Sequence, residues 1–240
     1  NKKYLILDVA ASGTTGVGSV LSDFYNQAIK YQGDIEFVFV LSTPELKGTK
    51  GISVLRFPWI KKSWFHRLYF DYLVAPKLVK KYDVDKIISL QNTPVLFTKV
   101  PQVALVDKAI SFFDYPVSIK DEPKLWIHQN IIGRRLIKSL KKLNKIIVQC
   151  ESFKDLVVQK TGISSDKIVV TIPMPPLSIK KEDQFIENDN SYSNFFYPAS
   201  GLEYKNQRII VEACKILKKR DPELKYKVIL TIGGRDTPAI

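Results

Sequence analysis

The chain is 240 residues long, 45% hydrophobic and 11% aromatic, enough for a sizeable buried core, which excludes an intrinsically disordered protein. Lysine and arginine number 37 against 24 aspartates and glutamates, a net charge of +13 that favours polyanionic partners such as nucleic acid, an anionic lipid surface or phosphorylated substrates. No run approaches the ~18 consecutive apolar residues of a membrane span, and Cys150 and Cys214, without metal-ligand spacing, read as reduced packing residues of a cytoplasmic protein.

In chain order, Tyr4-Leu-Ile-Leu-Asp8 is a short apolar run with no signal peptide or initiator Met before it. The glycine-bearing stretch Ala11 to Ser19 follows, then an amphipathic helix to about Tyr31. Glu36 to Leu41 and Ile52 to Phe57 read as strands, and Ser63 to Tyr82 as a helix that Pro76 should kink or restart. Lys86 to Leu90 and Gln102 to Val106 are further strands, followed by a helix from about Trp126 to Leu143. Strand Lys145 to Gln149 leads into a helix over Ser152 to Lys160, with Ser152 as N-cap and Thr161-Gly162 as the stop, and strand Lys167 to Thr171 closes this half. Short apolar runs alternating with helices predict an α/β fold: a Rossmann-like, mostly parallel sheet with helices on both faces.

Pro173-Met-Pro-Pro176 and the polar stretch to Asn194 mark a linker, which sets the expected organisation as a domain over 1–172, a linker over 173–194 and a second α/β unit over 195–240. That second unit is one strand (from Phe195), one helix (Asn206 to Arg220) and one more strand (Tyr226 to Ile232). So short a β-α-β unit is too small for an adequate core alone, so it is expected to be incomplete.

Gly13, Gly16 and Gly18 lie between the first strand and the first helix, where glycine lets a ligand approach the backbone and a helix N-terminus favours an anion. The spacing is G-x-x-G-x-G, not the dinucleotide G-x-G-x-x-G, and the second strand ends in Val40-Leu41-Ser42 without the carboxylate that holds a nicotinamide ribose. A tight turn without a ligand is the competing reading. Asp107 ends the strand Gln102 to Val106, and Asn92 stands just beyond the strand ending at Leu90. A carboxylate so placed can orient a hydroxyl or accept its proton, or merely cap a turn. His66 and His128 have no Cys or carboxylate at metal spacing, so no metal and no cofactor is expected. Asp83-Val-Asp85 precedes a strand between lysines and reads as a solvated loop.

The segment Phe195-Phe-Tyr-Pro-Ala-Ser-Gly-Leu-Glu-Tyr-Lys-Asn-Gln207 with the helical run after it resembles the start of the donor-sugar domain in family-4 glycosyltransferases of the two-domain GT-B type. Ser89 to Pro94 with Gln102 to Asp107 resembles members that assemble bacterial surface polysaccharides. The resemblance implies a complete N-terminal acceptor-binding domain, the opening of a nucleotide-sugar domain, and a fragment inactive by itself. It implies transfer of a hexose, with retention and without metal, from a nucleotide diphosphate donor to a glycan or lipid-linked acceptor. The glycine loop (Gly16, Gly18) and Lys205 would then meet the donor phosphates, Asn92 the acceptor, and Asp107 the reacting hydroxyl. Two positions depart from the family pattern: Asp107 stands where a His is common, and Ala199 where an Arg is common. The family's E-x7-E motif would lie beyond Ile240.

An anionic membrane surface is a further candidate partner, with the protein at the inner face of the cell membrane. Trp64, Phe65, Leu68, Tyr69 and Tyr72 share one helical face flanked by Lys61, Lys62 and Arg67, and Arg134, Arg135, Lys138, Lys141 and Lys142 form a basic stripe. The bland alternative makes the aromatic face core and the stripe solvated. Two other classes stand as alternatives: a basic nucleic-acid-binding α/β protein, which lacks any RNP, KH or helix-turn-helix pattern, and an NAD(P)-dependent oxidoreductase or epimerase, which lacks the ribose carboxylate.

Overall fold

The apolar runs read from the sequence pair side by side in one direction. A computed structural model describes residues 1–12, 17–114, 116–120, 122–172, 192–199, 201 and 205–232. The chain divides into two compact units, Asn1–Met174 and Pro175–Ile240.

Unit 1 contains strands β1 (Lys2–Asp8), β2 (Ile35–Leu41), β3 (Ile52–Arg56), β4 (Lys86–Ser89), β5 (Gln102–Leu105), β6 (Lys145–Val148) and β7 (Ile168–Val170). They form a seven-stranded sheet in the order β3-β2-β1-β4-β5-β6-β7, parallel throughout. The helices are α1 (Val17–Lys30), α2 (Trp64–Tyr69), α3 (Ala75–Lys81), α4 (Pro123–Ile127), α5 (Gly133–Leu140) and α6 (Glu151–Thr161). This is the expected Rossmann-like architecture.

Because side chains alternate along a strand, β1 feeds two cores. Leu5, Leu7 and Val9 pack with Phe70, Leu78 and Val79 on one face, while Ile6 packs with Leu21, Ala28 and Phe39 on the other. A third cluster joins β5 and β6 to α5 and α6 through Ala104, Ile146, Leu136, Leu140 and Val157. Each fully buried side chain of this size contributes about 1.5–3 kcal/mol relative to an exposed one, so the strands are held by burial on both faces.

The expected helix over Ser63 to Tyr82 is present but not uniform. Ser63 opens α2, its Oγ accepting from the His66 N–H. A wider π-helical turn, Phe70–Val74, then precedes α3. Pro76 lacks an N–H and its ring crowds the carbonyl four residues back, so the wider turn absorbs it without a break. The helix expected over Trp126 to Leu143 likewise comprises α4, a π-turn His128–Ile132 and α5, and begins earlier, at Pro123. Gly133 is needed there for close approach: a Cβ would lie 3.0 Å from Ser111 Cβ.

Ser152 is not the N-cap of α6. The helix begins at Glu151 with Cys150 in the cap position, and Ser152 meets the Cys150 thiol at 3.4 Å. Cys150 is also exposed, contrary to a packing role, because β6 ends at Val148 and leaves it in the turn. Both cysteines are free, and the Ser152 hydroxyl and the Phe153 N–H hold the Cys150 thiol below its ordinary pKa. Gly162 ends α6 in the left-handed conformation at φ +67°, as its type suggested.

Unit 2 has strands β8 (Ser193–Tyr197) and β9 (Tyr226–Leu230), paired in parallel, joined through helix α7 (Gln207–Arg220). β8 starts two residues before the expected Phe195. Asn206 is the N-cap of α7 in a left-handed conformation, without a side-chain capping bond. Phe195, Phe196, Ile209, Ile216 and Ile229 are exposed.

Candidate functional site

Strand order reverses beside β1: β2 and β3 lie on one side, β4 to β7 on the other. Open parallel sheets bind ligands outside the carboxyl ends of the strands at such a switch point. The groups gathered there in unit 1 come from β1, from the turns after β2, β4 and β5, and from a 3-10 turn Pro58–Lys62 that follows β3.

At the end of β1, Asp8 is fully buried. Its Oδ1 accepts the Ala11 N–H at 3.0 Å, and its Oδ2 has no hydrogen-bond partner among the described residues. Burial pushes the Asp8 carboxyl up to about 6; Asp107 adds to the rise, while the Ala11 N–H, Lys61 and Arg67 oppose it. The next residues are strapped from all sides. Gln91 Oε1 accepts the Val9 N–H at 2.9 Å, Ser42 Oγ donates to the Ala11 carbonyl at 3.1 Å, and Lys61 Nζ donates to the Ala10 carbonyl at 2.6 Å. Backbone leaving a sheet cannot use the ladder, so these side chains satisfy it instead.

Beyond β4, Asn92 is buried in a left-handed conformation, φ 71°. Its Nδ2 donates to Asp107 Oδ1 at 2.8 Å, and its Oδ1 accepts the N–H groups of Asp107 at 2.8 Å and Lys108 at 3.1 Å. Asn92 thus ties the exit of β4 to the exit of β5 and fixes one oxygen of Asp107, whose residue is exposed. It is Asn92 that satisfies the turn after β5.

The residues singled out in the sequence are therefore distributed as follows. Asn92 and Asp107 are in direct contact. Gly18 is the second residue of α1, and Gly16 lies outside the described residues. Lys205 is exposed in unit 2, just before α7, and its carbonyl accepts the Tyr197 hydroxyl at 2.9 Å. Sequence reading missed Asp8, Ser42 and Gln91, and placed Lys61 only beside the aromatic helical face; the signal available was that Asp8 ends an apolar strand run and Ser42 and Gln91 directly follow one, while Lys61, in the turn after β3, carries no such mark. Among the described residues no group of His, Cys, Asp and Glu is arranged to hold a metal ion.

The aromatic residues of α2 are not core. Trp64 is 59% exposed and Phe65 82%, with Leu68, Tyr69, Tyr72 and Leu73 also exposed. Phe97, at φ 56° and 69% exposed, stacks its ring against Tyr72 at 5.7 Å. On α5 and just after it, Arg134, Arg135, Lys138, Lys141 and Lys142 face solvent while Leu136, Leu140 and Leu143 are buried. Among the described residues no helix is long and apolar enough to cross a membrane.

No protein-family profile and no curated protein matches the sequence. Solved structures do match. The chain is similar over its whole length to the lipopolysaccharide outer core galactosyltransferase WaaB, with 14% identity, a TM-score of 0.57 and 63% of that chain covered. Over 99% of its length it is similar to WaaG, a glycosyltransferase involved in lipopolysaccharide biosynthesis, with 10% identity, a TM-score of 0.58 and 71% of that chain covered. A Listeria monocytogenes protein described as a UDP-N-acetylglucosamine 2-epimerase aligns over 99% of the chain at 9% identity and TM-score 0.55, with 65% of its own length covered. These similarities show the fold, the GT-B type of Rossmann-like α/β architecture. The chain spans about two thirds of the length of the proteins that share it.

Proposed function

We propose that the chain is part of a glycosyltransferase that moves a sugar from a nucleotide diphosphate donor to a glycan or lipid-linked acceptor in polysaccharide biosynthesis. The observation that carries this is the polar cluster of Asp8, Asn92 and Asp107 at the switch point of a fold whose neighbours include two lipopolysaccharide glycosyltransferases. Unit 1 takes the acceptor, and unit 2 opens the donor-binding domain, whose exposed apolar side chains suit a larger sheet. Asp107, with one oxygen held by Asn92, uses the other to orient the reacting hydroxyl, in a family-4 enzyme that transfers a hexose with retention. Gly16, from the glycine-bearing stretch of the sequence, Gly18 in the first turn of α1 and Lys205 before α7 contact donor phosphates, Lys205 as a point charge. Ser42, bonded to the Ala11 carbonyl where a dinucleotide fold uses an acid, argues against the nicotinamide reading.

Calorimetric titration with a panel of uridine, guanosine and thymidine diphosphate sugars tests this. One of them is expected to bind saturably, and Lys205→Ala to weaken it by about 1.5–3 kcal/mol, a lost charge-assisted bond. Failure of every nucleotide sugar, with salt-sensitive retention of random oligonucleotide or quenching by NAD, would transfer the protein to one of the other classes. Conversion of UDP-N-acetylglucosamine to its 2-epimer without an acceptor would make it an epimerase.

The same protein works at the inner face of the cell membrane, held by the exposed aromatic patch around Trp64, Phe65 and Phe97 and by the basic stripe of α5. Single exposed apolar residues are ordinary, but a contiguous patch rimmed by lysine and arginine is characteristic of an interface. Each basic residue near an anionic leaflet adds about 1 kcal/mol before screening. Vesicles containing phosphatidylglycerol are expected to sediment the protein at low salt and neutral vesicles not; Trp64→Ser with Phe65→Ser should lower the bound fraction severalfold. Equal binding to both vesicles would remove the membrane assignment.

A further inference from the structure

In unit 2 the connection that leaves β8 for α7 is tied down at both of its ends. β8 and β9 run parallel and in register, Tyr197 opposite Leu230, so their carboxyl ends open on the same side of the small sheet. Just past that point Thr231 Oγ1 accepts the Ala199 N–H at 3.0 Å and donates to the Ala199 carbonyl at 3.1 Å. At the other end the Tyr197 hydroxyl donates to the Lys205 carbonyl at 2.9 Å. Asn206 follows at φ 53° and ψ 41°, a left-handed conformation that Asn tolerates better than most residues, and α7 begins at Gln207.

These bonds fix a stretch of backbone, and that backbone carries a cation. A trans peptide is planar, so holding the Lys205 carbonyl against Tyr197 also sets the plane of the peptide to Asn206 and turns the Asn206 N–H the opposite way. The base of the Lys205 side chain is thereby held at the carboxyl ends of β8 and β9, where parallel sheets bind their ligands. A lysine is a point charge on a flexible stem, and the entropy lost in ordering it on a ligand is smaller when its backbone is already placed. The Tyr197 hydroxyl does not need the bond for its own sake: the residue is 37% exposed, and water would satisfy it.

We propose that Tyr197 is a positioning residue for Lys205, with Thr231 as its counterpart at the Ala199 end: together they place the lysine that meets the diphosphate of the donor. The proposal rests on the reading of Lys205 as a donor-phosphate contact. In this role Tyr197 touches no ligand. It acts through the Lys205 backbone and contributes by preorganisation.

A double-mutant cycle read by calorimetry tests this, on the full chain and with whichever uridine, guanosine or thymidine diphosphate sugar the wild type binds. Tyr197→Phe, which removes one oxygen, is expected to weaken binding about fivefold, the loss of one neutral hydrogen bond. In a Lys205→Ala background the same substitution should change affinity by less than about twofold, because the group it positions is gone. A merely structural role would give the same factor in both backgrounds. Thr231→Val should also weaken binding, and Thr231→Ser, which keeps the hydroxyl, should not. Tyr226→Phe is the matched control: it removes a bond of the same kind, from the Tyr226 hydroxyl to the Cys214 carbonyl at 2.9 Å, and should leave affinity unchanged. The proposal is overturned if Tyr197→Phe binds as the wild type does, if its effect persists undiminished beside Lys205→Ala, or if Tyr226→Phe weakens binding equally. It is also overturned if Thr231→Ser weakens binding as much as Thr231→Val. A wild type that binds no nucleotide sugar would instead remove the glycosyltransferase reading, and this role with it.

Discussion

Asp8→Asn is expected to stabilise unit 1 at pH 7 and to change it little at pH 4. The native carboxyl is raised from 3.8 to about 6, chiefly by burial, so between those values the folded protein keeps a proton that the unfolded chain has released. Stability from this group is therefore full below pH 3.8 and is lost as pH rises through 6, which amounts to about 2–3 kcal/mol by pH 7. Asparagine keeps an oxygen for the Ala11 N–H and has no charge to desolvate, so it escapes that loss. All the tryptophans, Trp59, Trp64 and Trp126, lie in unit 1, so urea unfolding followed by their fluorescence reads this unit. Equal effects of the substitution at pH 4 and pH 7 would show that Asp8 titrates normally. A buried carboxylate that weakens the fold at neutral pH is the kind of residue that function retains. The same variant is therefore expected to lose ligand affinity while gaining stability.

Asn92→Ala is expected to cost about 3 kcal/mol of stability, from two sources that a second substitution separates. Alanine strands the N–H groups of Asp107 and Lys108 and releases Asp107 Oδ1, and it also places an ordinary Cβ at φ 71°. Asn92→Gly removes the same hydrogen bonds without the conformational penalty, so it should be milder by about 1 kcal/mol. Both are read by the tryptophan unfolding curve. If both cost less than about 0.5 kcal/mol, water has replaced the amide and the exits of β4 and β5 are not tied through this side chain.

Much of unit 1 was legible because its evidence is local. Runs such as Phe37–Leu41 are continuous, apolar and buried, as strands covered on both faces must be, and the helices that follow β1, β3, β5 and β6 suit parallel pairing. Gly162 announced the end of α6 for an equally local reason, since glycine alone adopts its φ without strain. Helix interiors were less legible. The π-turns at Phe70–Val74 and His128–Ile132 depend on how Pro76 and Gly133 are accommodated against neighbours, and periodicity does not record that. The true start of α6 at Glu151, rather than at Ser152 as cap, was decided by where β6 ends in its ladder.

Asn92 and Asp107 were each marked as strand-end polar residues, but nothing in their spacing says that they touch. Their contact exists because β4 and β5 are adjacent and in register, so that both exits open at one height. Asp8 and Lys61 lie 53 positions apart and come together only because the order β3-β2-β1 lets a turn after β3 reach over the end of β1. Exposure of the aromatic face of α2 was undecidable for a related reason: Trp64 and Phe65 carry the same pattern whether a neighbour covers them or not. Sequence alone thus determined the elements, their parallel class and the polar residues at their ends, through short-range sterics and hydrophobic period. Only the tertiary structure decided which of those ends meet, how deeply Asp8 is buried and which apolar face stays open, because strand order, and the desolvation that follows from it, are properties of contacts between distant segments.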